Sequence, residues 1–154
     1  MGGSIVAPAG AAGDVVDVVT FDVERGKVRE FARATFAESP VHTEQDAAAA
    51  AGWSDVLATP THVVVSTHYR NQQEWVDRLG LDLSRVVMGS ASWHYFRPVQ
   101  AGDLLTGTRR VVADESKAGS RGHLRVVTLE TEYRDAAGAI VVTQRDVVIE
   151  RPRP

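Results

Sequence analysis

The spacing of apolar residues along the chain changes period twice. In "VVDVVTFDVERGKVREFARAT" the β-branched run Val15 to Val19 predicts a short strand, and a helical pattern follows with Val28, Phe31, Ala32 and Thr35 on one face. The loop "FAESPVHTEQDAAAAAG" comes next. Thr43 and Asp46, three residues apart, form a capping box that predicts a short helix from Glu44 to Ala51, with Gly52 as its stop. In "TPTHVVVSTHYRNQQEWVDRLG" the residues Val65, Tyr69, Val76 and Leu79 fall on one side, with Trp75 beside them. Pro60 near the start and Gly80 at the end predict one continuous helix of about 20 residues. Its length and apolarity make it the core helix.

From Ser84 the period becomes that of strands. "RVVMGSASWHYF", "DLLTGTRRVVAD", "GHLRVVTLETEYRD" and "AIVVTQRDVVIERP" are rich in Val, Thr and aromatics, and the turns "PVQAGD", "SKAGSRG" and "DAAGA" divide them. Consecutive strands of this kind most simply form an antiparallel meander. A sheet wrapped around the long central helix buries its own inner face and the helix's stripe together, which is a hotdog-like α+β domain. Such a sheet leaves edges, and an unpaired edge invites pairing with another subunit.

The 154 residues make one domain, residues 15–154, after a Gly- and Ala-rich leader at residues 1–14. A formal charge of −3 and the lack of a basic patch give no reason to expect nucleic acid. The chain has no cysteine, which excludes disulfides and thiolate metal sites and leaves the cytoplasm as the default compartment. No apolar run approaches the roughly 20 residues that span a bilayer.

Several stretches carry a resemblance. "VERGKVREFARAT", "SPVH", "AAAAAG", "TPTHVVVS" and above all "GLDLSRVVMGSASWHYFRPVQAGDLLTG" resemble the MaoC-like (R)-specific hydratase/dehydratase family. Within it, the chain most resembles the N-terminal, A-type (FAS1-like) dehydratase domains of actinobacterial hydroxyacyl-thioester dehydratases. Active members resemble a Gly-Asp-x-Asn-Pro-x-His pattern in a loop before a short helix. Laid onto this chain, the histidine falls on His42, the proline on Pro40, the asparagine position on Ser39, the aspartate position on Ala37 and the glycine position on Phe36. The resemblance implies a fatty acyl thioester of CoA or of acyl carrier protein as partner, no cofactor, and a homodimer or a heterodimer with another hotdog subunit.

The implied chemistry removes a proton from C2 of a 3-hydroxyacyl thioester and expels the C3 hydroxyl as water. A histidine suits the first task, because its pKa lies near working pH, and a carboxyl group suits the second. His42 is the candidate base, and Ala37 offers no carboxylate. Glu38 is adjacent, but neighbouring side chains of an extended loop point to opposite sides. The enolate oxygen needs donors, for which the backbone N–H groups at Thr61 and His62 are the candidates. Ser39, Pro40, Thr61 and His62 are thus the candidate substrate-binding residues, and the acyl tail is expected along an apolar surface between helix and sheet.

Three readings follow: a subunit without the catalytic aspartate that binds acyl chains or supports the dimer while a second hotdog chain brings the Asp–His pair, a self-sufficient hydratase pairing His42 with Glu38 or Ser39, and an acyl-thioester-binding protein without catalysis. A thioesterase on the same fold is a fourth. His62 and His68 stand six residues apart, which is not the i, i+4 spacing of a helical metal site. His94 reads as a sheet-face residue, His123 as solvated, Gly102–Asp103 as a turn device, and Trp53, Trp75 and Trp93 as core or interface residues.

Overall fold

The period-two stretches become strands, and the N-terminal run joins them. The computed structural model describes residues 10–153. β1 (Val15–Asp22) leads into α1 (Arg25–Ala34), a 3₁₀ turn at Pro40–His42 and α2 (Gln45–Ala50). A 3₁₀ segment at His62–Tyr69 and α3 (Gln72–Leu79) precede β2 (Val86–Tyr95), β3 (Leu104–Gly119), β4 (Gly122–Arg134) and β5 (Ile140–Glu150). All strands pair antiparallel in one sheet, in the order β1-β3-β4-β5-β2. With the helical segments packed on its inner face, this is the α+β hotdog fold.

Two expectations need correction in the topology. The meander covers only β3 to β5; β2 crosses over to pair with β5, Val86 facing Glu150 and Tyr95 facing Val142. The stretch from Pro60 to Gly80 is also not one long central helix. It runs as 3₁₀ from His62 to Tyr69, opens to an extended conformation at Arg70 (φ −102°, ψ 147°), and restarts as α3. Val63, Val64, Val65, Ser66 and Thr67 are β-branched or backbone-competing residues that hold an α-helix poorly. The Thr67 hydroxyl donates to the Val64 carbonyl, and the Asn71 side chain accepts from the Gln73 and Glu74 amides, which caps α3 as a helix of its own. Gly80 ends it in the left-handed region, as its position predicts.

The interior is divided in the same way. Along β3 the inward positions run Leu105, Gly107, Arg109, Val111; along β4, Tyr133, Thr131, Leu129; along β5, Val142, Gln144, Asp146, Val148. The first of each belongs to one apolar cluster, with Phe21, Val28 and Val63. The last belongs to a second, with Trp75, Val76 and Leu79. Full burial of each such side chain stabilises by about 1.5–3 kcal/mol. Between the clusters lies a polar band. Asp17 pairs with both Arg70 and Arg109, Arg109 lies over the Trp75 ring at 4.8 Å, and Ser66, Tyr133, Gln144 and Asp146 form a hydrogen-bonded chain. The expected continuous apolar surface between helix and sheet is therefore absent among the described residues: valines at full burial fill part of it and charged pairs cross the rest.

Of the expected leader, residues 1–9 lie outside the described residues. Residues 10–14 fold onto the Asp14 side chain, which accepts from the Gly10 and Ala11 amides, and Gly13 donates to the Val111 carbonyl.

Candidate functional site

The loop that carries His42 begins where α1 stops. The Phe36 amide donates to the Arg33 carbonyl and the Ala37 amide to the Ala32 carbonyl, the paired bonds of a Schellman motif. That motif needs a left-handed residue after the cap, normally glycine. Here Phe36 takes it, with φ 56°, the only non-glycine with positive φ among the described residues. The position that matches glycine in the family pattern thus keeps a glycine's backbone without the glycine.

Beyond it, Ser39 and Pro40 open the 3₁₀ turn, with Pro40 at its first position, where a missing N–H costs nothing. The Thr43 and Glu44 amides close the turn on the Pro40 carbonyl, and Arg29 of α1 holds the Thr43 carbonyl at 2.7 Å. The capping box does not form: the helix begins one residue later than expected, with Glu44 as its cap and no side-chain bond. Gln45–Ala50 ends, as expected, at a left-handed Gly52.

His42 is half-buried, and its Nδ1 lies 2.8 Å from the Leu57 carbonyl. A carbonyl oxygen can only accept, so Nδ1 carries the proton and Nε2 of the neutral ring is left with its lone pair. Leu57 is itself fixed, its amide on the Val41 carbonyl and its backbone bridged to Gln100. The ring therefore has a set tautomer and a set orientation, which a general base requires. Ala37 is half-buried and holds no acid. Glu38, Ser39 and Pro40 are exposed on the same loop, and the Glu38 and Ser39 side chains make no hydrogen bond among the described residues.

From Leu57 the chain runs through Ala58, whose amide donates to the Val99 carbonyl, to Pro60 and the 3₁₀ segment. Ala58, Pro60, Tyr95, Phe96, Arg97 and Val99 line an open hollow of about 350 Å³. Burial pushes the Tyr95 phenol up to about 12, and its hydroxyl donates to the Pro60 carbonyl. Arg97 grips Asp103 through both terminal nitrogens, at 2.8 and 3.0 Å, while the Asp103 carboxylate accepts from the Gln100 amide. The Gly102–Asp103 pair is thus the turn device its sequence suggests, and an anchor for this rim as well. His42 itself does not line the hollow.

The candidate donors divide. The His62 N–H is already bonded to the Thr59 carbonyl at 3.0 Å, so it does not serve as the expected oxyanion donor; the Thr61 N–H has no partner among the described residues. The tight 3₁₀ turn causes this, drawing the His62 amide back onto Thr59. The His62 ring is 2 % exposed and packs edge-on against Phe31, with centroids 5.3 Å apart. Desolvation, with Lys27 adding charge repulsion, brings its pKa down to about 4. His62 Nδ1, Thr59 Oγ1 and Trp93 Nε1 are buried without a partner among the described residues. All three atoms belong to segments that line or adjoin the Tyr95 hollow.

The remaining histidines are dispersed. His68 is exposed at the edge of a groove beside Lys27, His94 stacks edge-on with Phe96 on the outer face of β2, and His123 is exposed beside the β3–β4 turn. Among the described residues no group of three or more His, Asp or Glu side chains is placed to hold a metal ion.

A family model described as "FAS1-like, dehydratase domain region" matches residues 11–144. The chain belongs to that family. A curated relative, a UPF0336 protein from Streptomyces avermitilis, is 42% identical over 132 residues that cover 85% of each chain. Among solved structures, a MaoC-like dehydratase superposes with a TM-score of 0.78 at 26% identity, covering 94% of this chain and 42% of that one. The C-terminally truncated HadBC complex of Mycobacterium tuberculosis, a 3R-hydroxyacyl-ACP dehydratase, superposes with a TM-score of 0.73 at 23% identity, covering 86% and 94%. The hydratase/dehydratase hotdog family expected from the histidine loop and "FRPVQAGDLL" is thus the one found.

Sequence reasoning misses two features of this region, one unreadable and one readable. The Leu57 carbonyl that orients His42 is a backbone atom fifteen residues away, and no residue type announces it. Tyr95 was readable: it sits two residues after Trp93 on a strand, hence on the same face.

Proposed function

We infer that this chain is one subunit of an (R)-3-hydroxyacyl-thioester dehydratase, supplying a base and a binding surface while a second hotdog subunit supplies the acid. The observation that carries the reading is the state of His42: an imidazole with Nδ1 committed to Leu57, in a loop where Ala37 stands at the acid position. The His42 Nε2 takes the C2 proton, and the C–H electron pair becomes the C2–C3 double bond. Hydroxide departs from C3 with a proton from the partner's carboxyl group, so water leaves, and hydration is the reverse.

The lack of a continuous apolar channel in the described interior is consistent with an acyl site completed between subunits. Thr59 Oγ1, His62 Nδ1 and Trp93 Nε1, without a partner among the described residues, are groups such a completion can satisfy. β2 is an edge strand with Val87 40% and Met88 61% exposed, an edge of the kind that pairs with another sheet. The structural neighbour HadBC is, by its name, a complex and a 3R-hydroxyacyl-ACP dehydratase.

The test is hydration of crotonyl-CoA and of a long trans-2-enoyl-CoA by the purified chain, alone and after co-purification with its native partner. Turnover only in the mixture supports the reading. Substantial turnover by the chain alone defeats it.

A further inference from the structure

At the end of β2 remote from Tyr95, roughly 30 Å away along a ten-residue strand, lies a hollow of about 610 Å³, larger than that beside Tyr95. Its charged lining is entirely basic: Arg85, Arg121, Arg151 and Arg153. Arg85 is neutralised, by Glu150 at 2.7 Å and Asp82 at 3.0 Å. The other three guanidinium groups have no carboxylate within ion-pair distance among the described residues. The carboxylates along the nearby hairpin are engaged elsewhere, Asp114 with Arg125 and Glu115 with Lys117. In a chain of formal charge −3, this is a local concentration of uncompensated positive charge.

Packing holds the arginines there. Gly119 and Gly122 close a two-residue hairpin that presents Arg121. At Gly122, φ is 117° and an added Cβ would stand 3.2 Å from the Pro152 Cβ, so the missing side chain lets the C-terminal segment lie against the hairpin. Pro152 is the contact, and Arg151 and Arg153 flank it. The Arg151 amide donates to the Arg85 carbonyl at 3.0 Å, which ties the segment to the start of β2. Leu124 and Pro152 add an apolar wall.

We propose that this hollow binds a small ligand carrying a diphosphate or two closely spaced phosphate groups. Guanidinium groups pair with phosphate oxygens in a bidentate manner, and three of them match the charge of a diphosphate better than that of a single anion. The hollow lies in the size range of small-molecule sites, and its apolar wall suits an organic substituent on the phosphates. A confined concavity on a net acidic chain favours such a molecule over an extended nucleic acid.

The test is calorimetric titration of the full chain with pyrophosphate and with ADP, using inorganic phosphate as the single-anion control. Saturable one-to-one binding is expected, at least about ten-fold tighter for pyrophosphate than for phosphate. Arg121→Gln/Arg153→Gln changes exposed side chains only, so it should leave the unliganded melting temperature in place and weaken pyrophosphate binding by about ten-fold or more. Arg134→Gln/Arg145→Gln removes the same charge elsewhere and should leave the affinity unchanged. The proposal is overturned by the absence of saturable binding, by no preference for pyrophosphate over phosphate, by unchanged affinity in the first variant, or by equal loss in the control pair.

Discussion

Two 3₁₀ stretches carry His42 and His62, and they treat the two rings in opposite ways. At Pro40–His42 the ring is half-buried, one nitrogen satisfied by a backbone carbonyl and the other left available. At His62–Tyr69 the ring is buried on Phe31 with its Nδ1 unpaired, and it is held neutral by the cost of desolvating a charge. The first environment fixes a tautomer at little cost and leaves a site for proton transfer. The second gives up protonation to gain packing. A general base needs a ring that can still accept a proton, which the first environment offers and the second does not.

The largest effect that separates them is on turnover. In the assembled complex, His42→Ala should lower hydration of crotonyl-CoA by about 10²–10⁴-fold, the usual contribution of a general base, while the melting temperature stays within a degree or two. His62→Phe should act the other way, changing stability more than the rate. Steady-state kinetics and thermal melts of the two variants read both quantities, and a rate loss confined to His62→Phe reverses the assignment.

Much of this contrast was legible in the sequence, and the illegible part has a physical cause. Period-two runs announced β3 to β5, which alternate between core and water over much of their length, whereas β2 was announced by its Val, Trp and Tyr content and has no fully buried residue. They could not announce that β2 pairs with β5, because non-local pairing leaves no mark on local spacing. Of the apolar stripe, Val65, Val76 and Leu79, with Trp75 beside them, lie on the core side, but Tyr69 is 42% exposed, and the stripe did not reveal the break at Arg70. Periodicity reports which side is buried; the break depends on Asn71 capping and on Arg70 reaching Asp17. The histidine loop was readable for its residues and unreadable for the carbonyl that aims the ring.

The next effect is on pH dependence. A group whose folded pKa is depressed binds fewer protons folded than unfolded, so its contribution is full above the unfolded value and is lost as pH falls. For His62 the window runs from the ordinary value of 6.5 down to about 4. Between pH 7 and pH 5 the loss comes to about 2 kcal/mol. Urea unfolding at the two pH values should show it in the natural chain, and His62→Phe should remove most of it. An undiminished acid slope in that variant assigns the effect to another group.

Asn71→Ala tests whether the division of the helical stretch is built in locally. The side chain caps two amides of α3, and its loss should cost about 1 kcal/mol. Because Asn71 lies beyond the His62 segment, turnover in the complex should not change. A stability change below the error of a chemical melt would mean that the Arg70–Asp17 pair alone sets the break.

The smallest effect concerns the residue that begins the His42 loop. Phe36 is 89 % exposed, so its ring gains little from burial, while its backbone occupies the left-handed region that disfavours a Cβ by roughly 1–2 kcal/mol. Asparagine tolerates that region better and changes the unfolded chain less than glycine does. Phe36→Asn should therefore stabilise by up to about 1 kcal/mol, whereas Phe36→Ala, which keeps the same conflict, should stay within about 0.5 kcal/mol of the natural chain. If neither substitution stabilises, the Schellman bonds at Arg33 and Ala32 absorb the strain unaided. If Phe36→Asn stabilises and also slows turnover in the complex, the exposed ring is retained for a contact made in the assembly, and the strain at the head of the His42 loop has a functional reason.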